Sequence, residues 1–173
     1  MVSKWARPRK LTNKDVVKDF SCGRTELDDW LRDYALINQS SGMSTVFVCE
    51  IKGEIAAYYA LTAGQVSHAS APARITRGVA RHPIPVIILA RFAVVTRFQG
   101  IGLGRAMLRD VLIRSSNVAA EDIGVRALLV HAKDEDDKAL YCAQAEFEPS
   151  PTDSMHIFLL MKDLRRAILG SAI

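Results

Sequence analysis

Hydrophobic positions change their spacing several times along the chain, and each change marks an element. Thr25, followed by a carboxylate, opens a segment in which Leu27, Trp30, Leu31 and Tyr34 recur at helical intervals; Ser40-Ser41-Gly42 closes it. One amphipathic helix is predicted there. Thr45-Val46-Phe47-Val48-Cys49-Glu50 is rich in β-branched and aromatic residues and reads as a strand. The Lys52-Gly53-Glu54 turn leads to a second such run, Ile55 to Leu61, so the pair predicts an antiparallel hairpin. Between Gly64 and Pro85 the residues are mostly Ser, Ala, His, Pro and Arg without sustained periodicity, which predicts a long loop with room for a short helix. Val86 to Val95 is too continuously apolar for a half-exposed strand and predicts a central one.

From Leu103 the pattern is helical again, with Leu103, Met107, Leu108, Val111 and Leu112 on one side and Arg105, Arg109 and Arg114 on others. Val125 to Val130 is the next strand. Asp134 is placed to cap a helix running to about Gln144, and the acids after it sit at the positive helix end, so capping accounts for Asp134-Glu135-Asp136-Asp137 better than a catalytic carboxylate does. Pro149 and Pro151 break the chain before a last strand, Met155 to Leu160. This order predicts an α+β or mixed α/β fold whose sheet includes a strand-helix-strand crossover. The 173 residues, 49% of them hydrophobic, suit one domain over 1–173, with 1–7 and 168–173 as loosely ordered ends.

Charge and cysteine content narrow the chemistry. No apolar run approaches about 18 residues, and Lys4, Arg7, Arg9 and Lys10 surround Trp5 where a signal peptide would be apolar. A soluble, cytoplasmic protein without membrane association is expected. Cys22, Cys49 and Cys142 are widely spaced and no Cys or His pair has metal-ligand spacing, so reduced thiols and no metal site are expected. The net charge is only +4, but no Asp or Glu occurs from Ile55 to Arg109, a stretch holding Arg74, Arg77, Arg81, Arg91, Arg97, Arg105 and Arg109. Arginine suits bidentate phosphate contacts, so this segment points to a polyanionic ligand, a nucleotide cofactor or a nucleic acid. Arg91 interrupts the central strand, where its charge needs a partner or a ligand cleft.

Gly100, Gly102 and Gly104 lie between that strand and the following helix. Glycines there let backbone N–H groups converge on a ligand, and a helix N-terminus adds unpaired donors and a positive dipole end, which together hold an anion such as pyrophosphate. A Rossmann fingerprint would need glycine where Arg105 stands, and the Gly-Lys-Ser/Thr of a P-loop is absent. Arg97-x-x-Gly100-x-Gly102 does match the Arg/Gln-x-x-Gly-x-Gly/Ala signature, and in this setting the chain resembles the GCN5-related N-acetyltransferases (GNAT).

The resemblance implies the GNAT fold, a central mixed, mostly antiparallel sheet flanked by about four helices. It implies acetyl-CoA as acetyl donor, held by Ala93, Val94, Val95, Arg97, Gln99, Gly100, Ile101, Gly102, Leu103, Gly104 and Arg105. It also implies Tyr141 as the acid that protonates the departing coenzyme A thiolate. Phe20-x-Cys22-Gly23-x-x-x-Leu27-x-x-Trp30-Leu31, Thr45 to Val48, Tyr58 to Leu61, Ala90 to Val94 and Gln99 to Gly104 are similar to the acetyltransferase toxins of bacterial toxin-antitoxin pairs, from about Phe20 to Leu164. That implies acetylation of the α-amine of aminoacyl-tRNA, arrested translation, a ribbon-helix-helix antitoxin and a homodimer. Arg74, Arg77, Arg81 and Arg91 are the candidates for tRNA contact, since phosphate neutralisation dominates such binding. An aminoacyl ester's amine is less basic than lysine, so no strong general base is demanded. In one departure, Tyr141-Cys142-Ala143-Gln144-Ala145-Glu146-Phe147 lacks the glycine that usually precedes phenylalanine after the family's tyrosine. The alternatives are a GNAT enzyme acting on a small amine or a protein lysine, and a coenzyme-binding regulatory module without turnover.

Overall fold

A computed structural model describes residues 4–119 and 122–170. Of the loose ends expected at 1–7 and 168–173, residues 1–3 and 171–173 lie outside the described residues, whereas 168–170 belong to the last helix and Ala6 N–H donates to Glu50 O (2.8 Å). In chain order the elements are β1 (Arg9–Lys10), α1 (Thr25–Asp33), α2 (Ala35–Ser40), β2 (Thr45–Ile51), β3 (Glu54–Val66) and α3 (Ala73–Thr76). There follow β4 (Ile84–Val94), α4 (Leu103–Val118), β5 (Ala127–His131), α5 (Glu135–Cys142), β6 (Glu148–Pro149), β7 (His156–Leu160) and α6 (Met161–Gly170). The seven strands are hydrogen-bonded in the order β1-β2-β3-β4-β5-β7-β6. The sheet is mostly antiparallel; β4 and β5, joined through α4, pair in parallel as the crossover requires. The mixed α/β architecture is the expected one, with six α-helices among the described residues where about four were predicted.

The chain forms two compact units, Met1–Thr62 with Ala90–Asp110, and Ala63–Leu89 with Val111–Ile173. In the first, β2 and β3 form the predicted hairpin, with Thr45 opposite Leu61 and Ile51 opposite Glu54. Lys52 and Gly53 both take positive φ (49° and 83°), the geometry that lets a two-residue turn follow the twist of its strands. β1 adds to the outer edge of β2, pairing Arg9 with Val48. Leu27 and Leu31, four residues apart on α1, bury themselves among Phe20, Val48 and Tyr58. Burying each such leucine contributes about 1.5–3 kcal/mol.

The predicted single helix is two. Tyr34, at φ −124°, separates α1 from α2, although neither glycine nor proline marks the break. Ala35 is fully buried while Tyr34 is 56% exposed, so the apolar stripe passes the break by one residue.

In the second unit β4 pairs with β5 over Val86–Leu89 and Ala127–Val130, and β5 pairs with β7 from Ala127–Leu160 to His131–His156. Ile75, Ile84, Val86, Leu129 and Phe158 form its core. The loop expected between Gly64 and Pro85 is shorter than predicted, because β3 runs on to Val66 and β4 starts at Ile84; a 3₁₀ turn at His68–Ser70 and α3 lie within it. An added Cβ at Gly64 would stand 2.5 Å from Ile88 Cδ1 and 3.3 Å from its Cγ1, so the Ile88 side chain would have to shift. α6, not predicted, follows β7 without a gap and buries Met161, Asp163 and Leu164.

Candidate active site

The glycine-rich turn belongs wholly to the first unit. After β4, a 3₁₀ turn at Thr96–Phe98 leads through Gly100 (φ 79°) and Gly102 (φ 94°) into α4. Both angles lie in the left-handed region, which a side chain disfavours. Hydrogen bonds pin the approach: Val95 N–H donates to Ala56 O (2.8 Å), Thr96 N–H to Ser21 O (3.0 Å), and the Gln99 amide to Val94 O (2.9 Å) and Cys22 O (3.2 Å). Ala106 N–H donates to Gly102 O, so the N–H groups of Leu103, Gly104 and Arg105 precede the first helical donor. They lie at the positive end of the helix dipole.

Gly104 is the most telling of the three. It lies in the helix, is not in the left-handed region, and an added Cβ would meet only Val94 Cγ2 at 3.8 Å, an ordinary contact. Neither backbone geometry nor packing demands glycine, which costs up to about 1 kcal/mol against alanine in a helix. Open space also surrounds the positions of a Cβ at Gly100 and Gly102. The turn therefore fits a pyrophosphate-bearing coenzyme laid against its main chain.

The other predicted coenzyme residues divide by burial. The side chains of Ala93, Val95 and Leu103 are buried, so any ligand contact there goes through the main chain, whereas Gln99, Ile101 and Arg105 are exposed. Arg97 is exposed, forms an ion pair with Glu54 and lies over the Phe98 ring, 4.8 Å from its centroid. Arg91 is half-buried on β4. Its guanidinium lies 5.1 Å from the Trp30 ring centroid and its Nη1 donates to Ala90 O (2.8 Å). No carboxylate pairs with it among the described residues.

Tyr141 and the remaining arginines belong to the second unit. Asp134 caps α5 as predicted, its carboxylate accepting from Asp137 N–H (2.8 Å), and Glu135, Asp136 and Asp137 fill the first turn. Near the other end Tyr141 is 2% exposed, with its ring centroid 6.4 Å from that of Phe147. The chain leaves the helix without glycine: Gln144 N–H donates to Tyr141 O (3.0 Å) and Phe147 N–H to Ala145 O (2.9 Å).

Arg74 is engaged within the protein, its Nε and Nη2 donating to the Asp163 carboxylate. Asp163 is only 5% exposed, and the hydrogen bond from Arg74 holds its carboxyl below the usual range against the opposing effect of burial. Arg77 and Arg81 are exposed. Arg126 went unnoticed in the sequence. Its Nε donates to Ile75 O (2.9 Å) and its Nη2 to Arg77 O (3.1 Å), stapling the basic segment from behind. The available signal was a lone charge within the apolar run Val125 to Val130.

All three cysteines are thiols outside any disulfide; Cys22 and Cys49 are buried and Cys142 is exposed. Burial pushes the Cys49 thiol up to about 11. Among the described residues no group of three or more His, Cys, Asp or Glu could hold a metal, and no helix is long and apolar enough to cross a membrane.

A mixed sheet whose central strand runs through a glycine turn into a helix N-terminus is the arrangement that the GNAT resemblance predicts. Over 169 residues the chain is 45% identical to a tRNA-acetylating toxin of Mycobacterium tuberculosis (strain ATCC 25618 / H37Rv), covering 98% of this chain and 99% of that one. The protein belongs to this family of tRNA-acetylating toxins. Among solved structures it shares its fold with AtaT complexed with acetyl-methionyl-tRNAfMet (TM-score 0.83, 18% identity, 92% of this chain and 97% of that one). It shares it too with a tyrosine-to-phenylalanine mutant of AtaT bound to the C-terminus of the antitoxin AtaR and acetyl-CoA (TM-score 0.79, 17% identity, 96% and 99%). No family model matches the chain.

Proposed function

We propose that the protein, acting as a single catalytic domain, moves the acetyl group of acetyl-CoA onto the α-amine of an amino acid esterified to tRNA and thereby blocks translation. The observation that carries this reading is the match along the whole chain to a tRNA-acetylating toxin. Gly104, unexplained by the protein's own packing, supports the donor half independently.

In the reaction the amine nitrogen bonds to the thioester carbonyl carbon and the carbon–sulfur bond breaks. The turn and the first N–H groups of α4 hold the donor's phosphates. Tyr141 gives its phenolic proton to the departing thiolate; an ordinary phenol, with a pKa of about 10, carries that proton at neutral pH. The amine gives up its own proton to solvent, as its low basicity allows. Arg77 and Arg81 contact tRNA phosphates, Arg91 contacts the acceptor, and Arg74 shapes the segment that presents them. An antitoxin partner is supported by the AtaT–AtaR complex; its ribbon-helix-helix form and a homodimer follow from the family resemblance alone, and a cytoplasmic site of action from the nature of the acceptor.

Incubation of the purified protein with labelled acetyl-CoA and a panel of aminoacyl-tRNAs tests it. Label is expected on the amino group of one or more of them. If every aminoacyl-tRNA stays unlabelled while a small amine or a protein lysine is acetylated, the acceptor is of another class.

A further inference from the structure

Three rings and one guanidinium form a layered arrangement inside the first unit. Phe20 meets Tyr58 edge-on, with centroids 5.3 Å apart at 69°, and Trp30 lies nearly parallel to Tyr58, 6.1 Å away at 9°. The Tyr58 hydroxyl donates to Leu27 O (2.7 Å) in α1, which holds the inner end fixed. Arg91 closes the outer end over Trp30. Tyr58 is fully buried, whereas Trp30 and Arg91 are half-buried, so the arrangement runs from the core towards solvent.

Arg91 has unused capacity. A guanidinium carries five N–H donors and a flat face, yet this one has a single carbonyl and a single ring as partners. A cation half-buried without a carboxylate is costly, and an incoming anion would relieve that cost. Its position on β4 matters as well. Side chains alternate along a strand, so Arg91 shares a face with Ala93, about 7 Å away at the usual rise per residue. The strand ends at Val94, just before the glycine-rich turn.

We propose that Trp30 and Arg91 form a stacking platform for the terminal nucleotide of the RNA acceptor, the base extending the aromatic–guanidinium layers and the phosphate meeting the free N–H groups. A nucleotide is the ligand class that offers both a flat π-system and a phosphate. Bases splayed from single-stranded ends are read in this way, on aromatic rings or arginine planes. The inference rests on the proposed acceptor being a tRNA. It specifies which end of that RNA the first unit grips, and it assigns Trp30 a role beyond core packing.

The test uses the cytidine-cytidine-adenosine trinucleotide of the tRNA 3′ end, without an amino acid, titrated into the full-length protein. The wild type should bind it. Because the chain has only two tryptophans, Trp5 and Trp30, a Trp5→Phe background should show quenching of Trp30 emission on binding. Arg91→Gln and Trp30→Leu should each weaken binding roughly tenfold, in line with the loss of one stacking partner. Arg91→Lys, which keeps the charge but loses the plane, should bind more weakly than wild type too. The dissociation constant for acetyl-CoA should stay within about twofold throughout.

Failure of the wild type to bind, variants that bind equally well, or an equal loss of coenzyme affinity would each overturn the platform. If the trinucleotide binds as expected while no aminoacyl-tRNA is acetylated, the proposed reaction fails and the platform stands. If aminoacyl-tRNA is acetylated and the variants bind like wild type, the reverse holds.

Discussion

Gly104 and Tyr141 make opposite demands on a substitution. At Gly104 the helix would gain from a side chain and the neighbouring Val94 would tolerate it. Gly104→Ala should therefore raise the melting temperature slightly, by the equivalent of up to about 1 kcal/mol, while weakening acetyl-CoA binding. Calorimetric titration beside a thermal melt checks both signs; a variant that binds coenzyme as tightly as wild type removes the argument that a ligand needs this glycine. Tyr141→Phe keeps the ring against Phe147 and deletes only the hydroxyl. It should lower kcat by about a hundredfold or more with little change in KM, the range expected for a lost general acid. Rapid-quench assays with aminoacyl-tRNA measure it, and an undiminished kcat would assign the thiolate's proton to another group.

Among the elements, those with a local signature were readable from the residues. The β2–β3 hairpin has two runs of β-branched and aromatic residues about a Lys-Gly turn; α4 has an apolar stripe; the coenzyme turn is one contiguous stretch with three glycines. The rest depends on partners distant in the chain. Trp30 on α1 meets Arg91 on β4 across 61 positions, and Arg126, just before β5, reaches the carbonyls of Ile75 and Arg77. No spacing rule reports such meetings. The short strands β1 and β6 exist only through their pairing with β2 and β7, and the break at Tyr34 has no breaker residue.

α3 and α6 offer an element-scale test through Arg74 and Asp163. Asp163 has a folded-state pKa below its ordinary 3.8, so the unfolded chain binds the proton more readily. The pair's stabilisation is therefore complete above that value and is lost as pH falls below it toward the lowered folded-state pKa. Asp163→Asn should melt below wild type at pH 7, and the gap should close as the pH falls below 3.8 through the lowered folded-state value; a gap independent of pH would mean that the pair contributes nothing electrostatic.

On the scale of the whole molecule, a net charge of +4 conceals a chain in which acids are absent from Ile55 to Arg109. Arg77→Ala with Arg81→Ala should weaken tRNA binding and reduce its log-log salt slope by about one for each phosphate no longer neutralised, with coenzyme affinity unchanged. Filter binding at several salt concentrations reads the slope; a slope equal to that of wild type would place these arginines away from the RNA.

The distribution of thiols has a practical use. Cys22 and Cys49 are buried, and Cys49 is further protected by a raised pKa, whereas Cys142 is exposed and directly follows Tyr141. A brief treatment with a maleimide dye should consequently mark one position only, at the end of α5. The native chain thus carries its own attachment point for a fluorophore, from which the arrival of donor, RNA or antitoxin near the proposed acid could be timed without introducing a single mutation.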